Sequence, residues 1–353
     1  YFASLTSAMI CRQIVLTIND ADRSPALSIK APKQIGTKIW DACMSQLILL
    51  EQLSKSFGAF SAVDGIDLAV PKGEVLGFLG PNGAGKSTTM KMIAGFLEPT
   101  SGRATVAGFD VSKSPVEVKC RLGYMPEGAP SYGDMTPGSF LNFVAQIRGF
   151  NGAEKKRRID ETVEKVRLSE VFHQQIETLS KGFKRRVGLA QAMIHDPEIL
   201  VLDEPTDGLD PNQKHHVRGL IEEMAKDKAI IISTHILEEV EAVCSRAVII
   251  ANGKLLADGT PTALLERDPH HNSVVVSVQG DSIDKVREVL STMGAVEVVA
   301  GRANQIRLIG SNSKDVSQVI REEELPIEEV YVERGTLDNV FRQITAPKGT
   351  ANA

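Results

Sequence analysis

The sequence lacks several features that mark particular classes of protein. Its four cysteines, at positions 11, 43, 120 and 244, have no paired spacing suited to zinc or to a disulfide framework, so we expect reduced thiols in the cytosol. It has no excess of basic residues, and its net charge of −5 disfavours a nucleic-acid partner, which usually demands a basic face. No run approaches the ~20 apolar residues of a membrane-spanning helix, so we expect another chain to supply any membrane span.

What is present is ordinary for a globular protein. Hydrophobic residues make up 42% and charged residues 24% of the 353 positions, and this length predicts two or three domains. Residues 1–43 show no sustained periodicity and lack the basic region of a secretory signal. Because a strand pattern starts just after Met44, our hypothesis is that Met44 is the natural start and that 1–43 is a non-native extension. The alternative is a genuine, poorly ordered extension, and 346–353 is read as a tail.

A stretch of nine residues fits the pattern G-x-x-x-x-G-K-[ST] of a phosphate-binding P-loop. It consists of Gly80, Pro81, Asn82, Gly83, Ala84, Gly85, Lys86, Ser87 and Thr88. Its glycines allow a tight turn whose backbone N–H groups point at phosphate oxygens. Lys86 can reach the β- and γ-phosphates, and the Ser87 hydroxyl can bind Mg²⁺. A predicted strand at 74–79 and a predicted helix at 87–97 flank the loop, and the helix N-terminus favours an anion. The stretch predicts a nucleotide site.

Two carboxylates follow a second apolar run. Residues 199–202 are apolar, as in a buried parallel strand, and Asp203 and Glu204 stand at its end, where open α/β sheets place their sites. Asp203 can hold Mg²⁺, and Glu204 can orient or deprotonate an attacking water, although acidic pairs after strands also occur as helix caps. His235 follows a further predicted strand and can donate to a γ-phosphate, although a lone histidine is usually structural.

The stretches around these motifs differ in texture. Strand patterns dominate 47–79 and 98–125, whereas 128–188 carries apolar residues at helical spacing. We therefore predict a helical insertion, 128–188, in an α/β core. Within it, Asn151 to Glu154 resembles a capping box that would open a helix.

The C-terminal stretch 272–345 alternates between strand and helix patterns. Their order is βαββαβ followed by one more helix, which suggests a small α+β ferredoxin-like domain. It is read either as a regulatory or dimerising appendage or as a purely structural one.

The segment Leu179-Ser180-Lys181-Gly182-Phe183 resembles the signature motif LSGGQ of the ATP-binding subunits of ABC transporters. With the P-loop and the Asp203-Glu204 strand, the resemblance covers about 47–265. It implies an α/β P-loop NTPase (RecA-like) core with an antiparallel β subdomain and a helical subdomain, over 47–267. It also implies ATP and Mg²⁺ as ligands, ATP hydrolysis, and a homodimer in which each ATP is held between one P-loop and the other subunit's signature.

The resemblance also implies a role for individual residues. Phe57 alone would more often be a core residue, but the resemblance implies that it is the aromatic that stacks on adenine. Ser180 and Gly182 would face the γ-phosphate of the other subunit, and Asp210 would belong to the D-loop. Glu127 would ligate Mg²⁺ with Ser87 and Asp203, while Lys86, Glu204 and His235 would act on the γ-phosphate and its attacking water.

Two motifs depart from the family pattern. Glu127 stands where most members have the Q-loop glutamine, which adds a negative charge near phosphate, and Lys181 replaces the first glycine of the signature. With both departures, the sequence resembles the bacterial ATPases that partner ABC-2 type export permeases. That group includes the gliding-motility and copper-site maturation transporters. That resemblance implies a peripheral protein on the cytoplasmic face of the plasma membrane. The substrate is left open, because the permease would select it.

Two alternative functions compete with that of a transporter ATPase. A soluble ABC ATPase acting on ribosomes or nucleic acid usually has tandem cassettes, long coiled coils or zinc-binding cysteine pairs, none of which this chain shows. A catalytically degenerate binding module would not need both Glu204 and His235.

Overall fold

The computed structural model describes residues 46–128, 132–280, 282–299, 302 and 304–345. The predictions for 1–43, Met44 and 346–353 lie outside this part of the chain. The described residues contain three β-sheets, of four, six and four strands.

The first sheet is antiparallel and has the strand order β2-β1-β4-β5. Its strands are β1 (Gln46–Phe57), β2 (Phe60–Pro71), β4 (Ser101–Val106) and β5 (Phe109–Asp110). A two-residue turn joins β1 to β2, and Phe57 pairs with Phe60 across it. The tip of this hairpin lies beside the P-loop, and both phenylalanines line a pocket together with P-loop residues.

The second sheet forms the central layer, with the order β10-β9-β3-β8-β7-β6. Its strands are β3 (Val75–Leu79), β6 (Leu122–Met125), β7 (Ile199–Asp203), β8 (Ala229–Thr234), β9 (Arg246–Ala251) and β10 (Lys254–Gly259). All neighbours are parallel except β9 and β10. Every residue of β3, β7 and β8 is buried, as expected of a parallel sheet covered on both faces. Because β8 lies between β3 and β7, the carboxyl ends of these three strands meet at one edge.

Among the described residues between 86 and 243, seven α-helices accompany these two sheets. They are α1 (Lys86–Ile93), α2 (Pro115–Arg121), α3 (Pro137–Ile147), α4 (Gly152–Lys165), α5 (Lys181–Met193), α6 (Pro211–Ala225) and α7 (Leu237–Val243). The helix after the P-loop is shorter than the predicted 87–97, since Gly95 adopts a positive φ of 67°. Helix α2 was missed, because only strands were predicted over 98–125.

The helical content predicted for 128–188 is present as α3, α4 and the start of α5. The predicted capping box is wrong. Asn151 stands at the N-cap position of α4 but makes no side-chain cap hydrogen bond there. Glu154 instead accepts hydrogen bonds from Arg157 and Arg158, because these guanidiniums one turn away offer it charge-assisted partners.

The third sheet is antiparallel throughout, with the order β12-β13-β11-β14. It contains β11 (Ser273–Val278), β12 (Ala295–Val298), β13 (Gln305–Ile309) and β14 (Ile327–Glu333), and it has its own apolar core with α9 (Ile283–Leu290) and α10 (Ser313–Glu322). The predicted succession of strands and helices is therefore present.

The last helix departs from the predicted grouping of residues 272–345. Helix α11 (Leu337–Thr345) packs with α8 (Pro261–Leu265). Its residues Leu337 and Val340 join the same apolar cluster as residues of the central sheet. Asp268 holds the start of α11 in this position, because its carboxylate accepts hydrogen bonds from Thr336 N at 2.8 Å and Asn339 Nδ2 at 3.0 Å.

Candidate nucleotide site

The P-loop connects the end of β3 to the start of α1 and depends on all three of its glycines. Gly83 and Gly85 have φ values of 78° and 105°, which favour glycine over other residues. A Cβ at Gly85 would overlap the carbonyl oxygen of Ala62, and one at Gly80 would overlap that of Ile250. The loop is therefore held in a tight curl against β2 and β9, as a backbone cradle for phosphate requires.

Lys86 lies at the first position of α1 and is only 7% exposed. Its ammonium donates to Gly80 O at 2.6 Å and Pro81 O at 3.2 Å. Burial lowers the pKa of Lys86, and the nearby charges of Glu204, Asp203 and Glu127 oppose that shift. A buried ammonium held by loop carbonyls suits a phosphate ligand, because an anion would offset its desolvation.

Asp203 ends β7 and is 2% exposed. The Ser233 hydroxyl, from the neighbouring strand β8, donates to its carboxylate. Ser87 and Asp203 line one pocket with the P-loop, so hydroxyl and carboxylate oxygens, the ligands of a hard cation, are available together. Within the described chain no group of three or more His, Cys, Asp or Glu residues could hold a metal by itself. Mg²⁺ is usually bound by one or two side chains plus substrate phosphates, and the Ser87 hydroxyl and the Asp203 carboxylate are side chains of that kind.

Glu204 follows Asp203 and has a strained backbone, with a φ of 54°. Its N–H donates to Ser233 O at 3.1 Å, and its side chain is 12% exposed. His235 Nδ1 lies 2.9 Å from both carboxylate oxygens. Burial raises the pKa of Glu204, while the hydrogen bond and charge of His235 oppose the rise. A raised pKa makes the carboxylate a better proton acceptor than a solvent-exposed one, which suits a base for an attacking water.

Phe57 and Phe60 stand at the mouth of the same pocket. This pocket has a volume of about 330 Å³. It is lined by Phe57, Phe60, Ala62, Asn82, Gly83, Ala84, Gly85, Lys86, Ser87, Thr88, Glu127, Asp203 and Glu204. The structure therefore brings together most of the predicted site residues. Sequence reasoning missed Phe60 and Ala62, although a hairpin register from 57 to 60 would have pointed to both.

Six predicted residues are not among those that line this pocket. Gly80, Pro81 and His235 instead contact residues that line it, whereas Ser180, Gly182 and Asp210 stand at helix N-termini. Ser180 caps α5 and accepts from Phe183 N at 3.4 Å, and Gly182 packs against Gln213 so closely that a Cβ would clash. Asp210 caps α6 by accepting from Gln213 N at 2.9 Å. Ser180 and Gly182 therefore stand at the N-terminus of α5, outside the lining of the P-loop pocket.

A second cavity, of about 590 Å³, adjoins the first. Ser87, Glu127 and Asp203 line both. Lys181 and Tyr124 line only the second, and burial raises the pKa of Tyr124 to about 12. Both motif departures, Glu127 and Lys181, thus face one cavity.

Comparisons with known proteins agree with this geometry. The profile of the ABC transporter family matches residues 63–207. The linearmycin resistance ATP-binding protein LnrL of Bacillus subtilis is 37% identical over 66% of this chain and 76% of its own length. The Nod factor export ATP-binding protein I of Cupriavidus pinatubonensis is 32% identical over 73% and 79%. A solved ATP-binding subunit of an ABC transporter is 32% identical, with a TM-score of 0.59 over 63% of this chain and 92% of its own.

The parallel sheet, its P-loop and the carboxylates beside it define an ATPase of the P-loop class. The chain belongs to the ABC transporter family, and it is an ATP-binding and ATP-hydrolysing subunit of a transporter. Among the residues that the structure covers, no helix is both long enough and apolar enough to cross a bilayer.

Proposed function

We propose that this chain is the ATPase of an ABC-2 type exporter and works as a homodimer at the cytoplasmic face of the membrane. The observation that carries the proposal is the Glu204–His235 pair beside the P-loop, a carboxylate positioned to act on water next to bound phosphates. The direction of transport is supported by relatives whose names refer to resistance and export. The ABC-2 assignment rests on Glu127 and Lys181.

The site becomes complete only when a second copy closes over it. Ser180 and Gly182 lie outside the pocket of their own chain, yet they form the N-terminal turn of α5, whose free N–H groups favour an anion. In a head-to-tail dimer this turn would cover the γ-phosphate bound by the partner's P-loop. Asp210, at the N-terminus of α6, would take part in the same interface.

The residues of the sequence motifs around the pocket then have separate chemical tasks. The P-loop amides and Lys86 bind the phosphates, Glu204 accepts the proton of the attacking water, and His235 donates to the γ-phosphate. Ser87, Asp203 and Glu127 would hold Mg²⁺, which would neutralise charge on the phosphate oxygens when bound. Phe57 would stack on the adenine.

The surfaces beyond the pocket suggest how hydrolysis reaches a permease. Glu127 and Gly128, which precede α3 along the chain, line the second cavity together with Ser87, so a movement of the phosphates would reach this part of the chain. We assign the permease contact to this region, residues 127–150. We also assign 272–333 as an accessory ferredoxin-like domain, because its four-stranded order and two intervening helices suit that topology.

Two measurements test the proposal. ATP hydrolysis should rise when the chain is reconstituted with its membrane permease, and should not respond to ribosomes or RNA. Deletion of the gene should sensitise cells to a toxic compound, and the wild-type chain but not Glu204→Gln should restore growth. Stimulation by ribosomes alone, or a nutrient requirement in place of sensitivity, would contradict the assignment.

A further inference from the structure

We propose that Phe60 is a second nucleobase-binding residue that forms an aromatic clamp with Phe57. The proposal rests on the nucleotide position assigned above, with phosphates in the P-loop and the base near Phe57. It adds a residue to which the family motifs give no role. The observation behind it is the pairing of two exposed phenylalanines on one hairpin at the mouth of the phosphate pocket.

The hairpin register places both rings on the same side. Phe57 ends β1, Phe60 begins β2, and the two are direct cross-strand partners across Gly58 and Ala59. Directly opposed residues of an antiparallel pair point to the same face of the sheet, with Cβ atoms about 5 Å apart. Gly58 has a φ of 59°, which suits the tight turn that fixes this register.

Both rings remain available to a ligand. Phe57 is 50% and Phe60 61% exposed. Exposing apolar area to water is unfavourable, and neither side chain packs into the apolar clusters of the fold. The ammonium of Lys55 lies 5.3 Å from the centroid of the Phe57 ring. The same ammonium is held in place because it donates to Glu98 O at 2.7 Å. One face of Phe57 is thus occupied, which leaves its other side and Phe60 for the base.

The chemistry of the clamp determines what it can recognise. The hairpin side chains that reach the pocket are Phe57, Phe60 and Ala62, and none of them has a hydrogen-bonding group. Such a surface responds to the area of the base and not to the pattern of donors and acceptors at its edge. The ligand class is therefore purine nucleotides, and ADP and GDP should bind with affinities within about threefold of each other, with CDP weaker than both.

Calorimetric binding of non-hydrolysed ligands to the full chain tests the clamp. The ligands are ADP, GDP and CDP, with inorganic tripolyphosphate as a probe that has phosphates but no base. Phe60→Ala should weaken ADP binding about three- to tenfold and narrow the preference for purines, while tripolyphosphate binding stays unchanged. Phe60→Trp should retain ADP affinity. Phe96→Ala is the control, because Phe96 is similarly exposed (63%) but lies outside the pocket. It should leave the affinities for ADP and for tripolyphosphate unchanged.

The outcomes separate this inference from the proposed function. Unchanged ADP affinity in Phe60→Ala, together with a loss in Phe57→Ala, overturns the clamp alone. An equal loss of ADP and tripolyphosphate in Phe60→Ala also overturns it, because the hairpin would then only support the P-loop. If the wild-type chain binds tripolyphosphate but Phe57→Ala leaves ADP affinity unchanged, the assigned position of the base is wrong.

Discussion

Nδ1 of His235 stands 2.9 Å from each carboxylate oxygen of Glu204. Equal distances mean that the imidazole engages both oxygens of the carboxylate that we assign as the base. His235 is the more exposed partner, since 57% of its side chain is accessible against 12% for Glu204. We infer that a γ-phosphate competes for the imidazole, so that ATP binding frees the carboxylate for water.

His235→Ala should slow hydrolysis by about 10²-fold through loss of a donor to the transition state and shift its pH dependence. His235 lowers the pKa of Glu204, against the rise that burial causes. Its removal leaves a higher pKa of Glu204 in the nucleotide-free chain, so the acidic limb of the kcat/KM profile, which reports the free enzyme, should move to higher pH. Hydrolysis rates across pH check this, and a limb that moves to lower pH would contradict the contact. His215→Ala is the control, because His215 is exposed on α6.

Glu204→Gln should reduce the hydrolysis rate by about 10²–10⁴-fold while leaving ATP binding intact. The amide keeps the shape of the carboxylate but cannot accept a proton from water. ATP should then accumulate in a closed dimer, visible by light scattering. Glu198→Gln, at an exposed position just before β7, should have neither effect. Undiminished turnover in Glu204→Gln would remove the proposed base.

Lys86→Met should abolish stabilisation by nucleotide without unfolding the protein. Burial lowers the pKa of Lys86, so the charge is costly until phosphate arrives, and an apolar chain of similar length should be tolerated. Wild-type protein at ATP levels 100-fold above Kd should gain about 2.7 kcal/mol. Thermal unfolding with and without ATP measures this, with exposed Lys113→Met as the control. A variant that keeps the gain would contradict the role of Lys86.

The local parts of this site could be predicted from the sequence because consecutive residues build them. The P-loop, Asp203 with Glu204, and the strands that carry them each depend on a short segment, and the structure places them at one sheet edge. Phe60 was missed because a single phenylalanine in the sequence does not indicate a binding site. Only the hairpin register, which pairs it with Phe57, places it at the pocket.

Other features depend on competition or on distance along the chain. The Glu154 carboxylate could accept hydrogen bonds either from the backbone at the helix N-terminus or from neighbouring guanidiniums. It accepts them from Arg157 and Arg158. The seven residues of α2 are too few to show a helical period. The docking of α11 depends on Asp268, about 70 positions before its partners, and no local pattern indicates such a contact.

Asp268→Ala should destabilise the chain by about 3 kcal/mol, because a buried acceptor of several hydrogen bonds is lost. Asp268 is 3% exposed and also accepts from His270 N at 3.0 Å. Asn339→Ala removes one of these bonds and should cost about 1 kcal/mol. Denaturant unfolding compares the two, and protease cleavage before α11 should accelerate only in the first. Equal stability of Asp268→Ala and wild type would contradict the anchor.

The same carboxylate predicts a pH dependence of stability. Burial raises the pKa of Asp268, but its hydrogen bonds from His270, Thr336 and Asn339 outweigh that effect and leave the pKa below the ordinary 3.8. A depressed carboxyl pKa stabilises the fold above the unfolded value, and this contribution is lost as pH falls through the folded value. The stability difference between wild type and Asp268→Asn should therefore be constant near neutral pH and shrink in acid below about pH 4.

The central claim is that the P-loop of one chain needs Ser180 and Gly182 of another, and mixing two inactive variants tests it most directly. Lys86→Ala and Ser180→Arg should each lack ATPase activity alone. Mixed chains form dimers in which one site combines an intact P-loop with an intact signature. With random pairing, half of the dimers are mixed and half of their sites are whole, so about a quarter of wild-type activity should return. A mixture that stays inactive while its chains dimerise, or a Ser180→Arg chain that is fully active alone, would contradict the account.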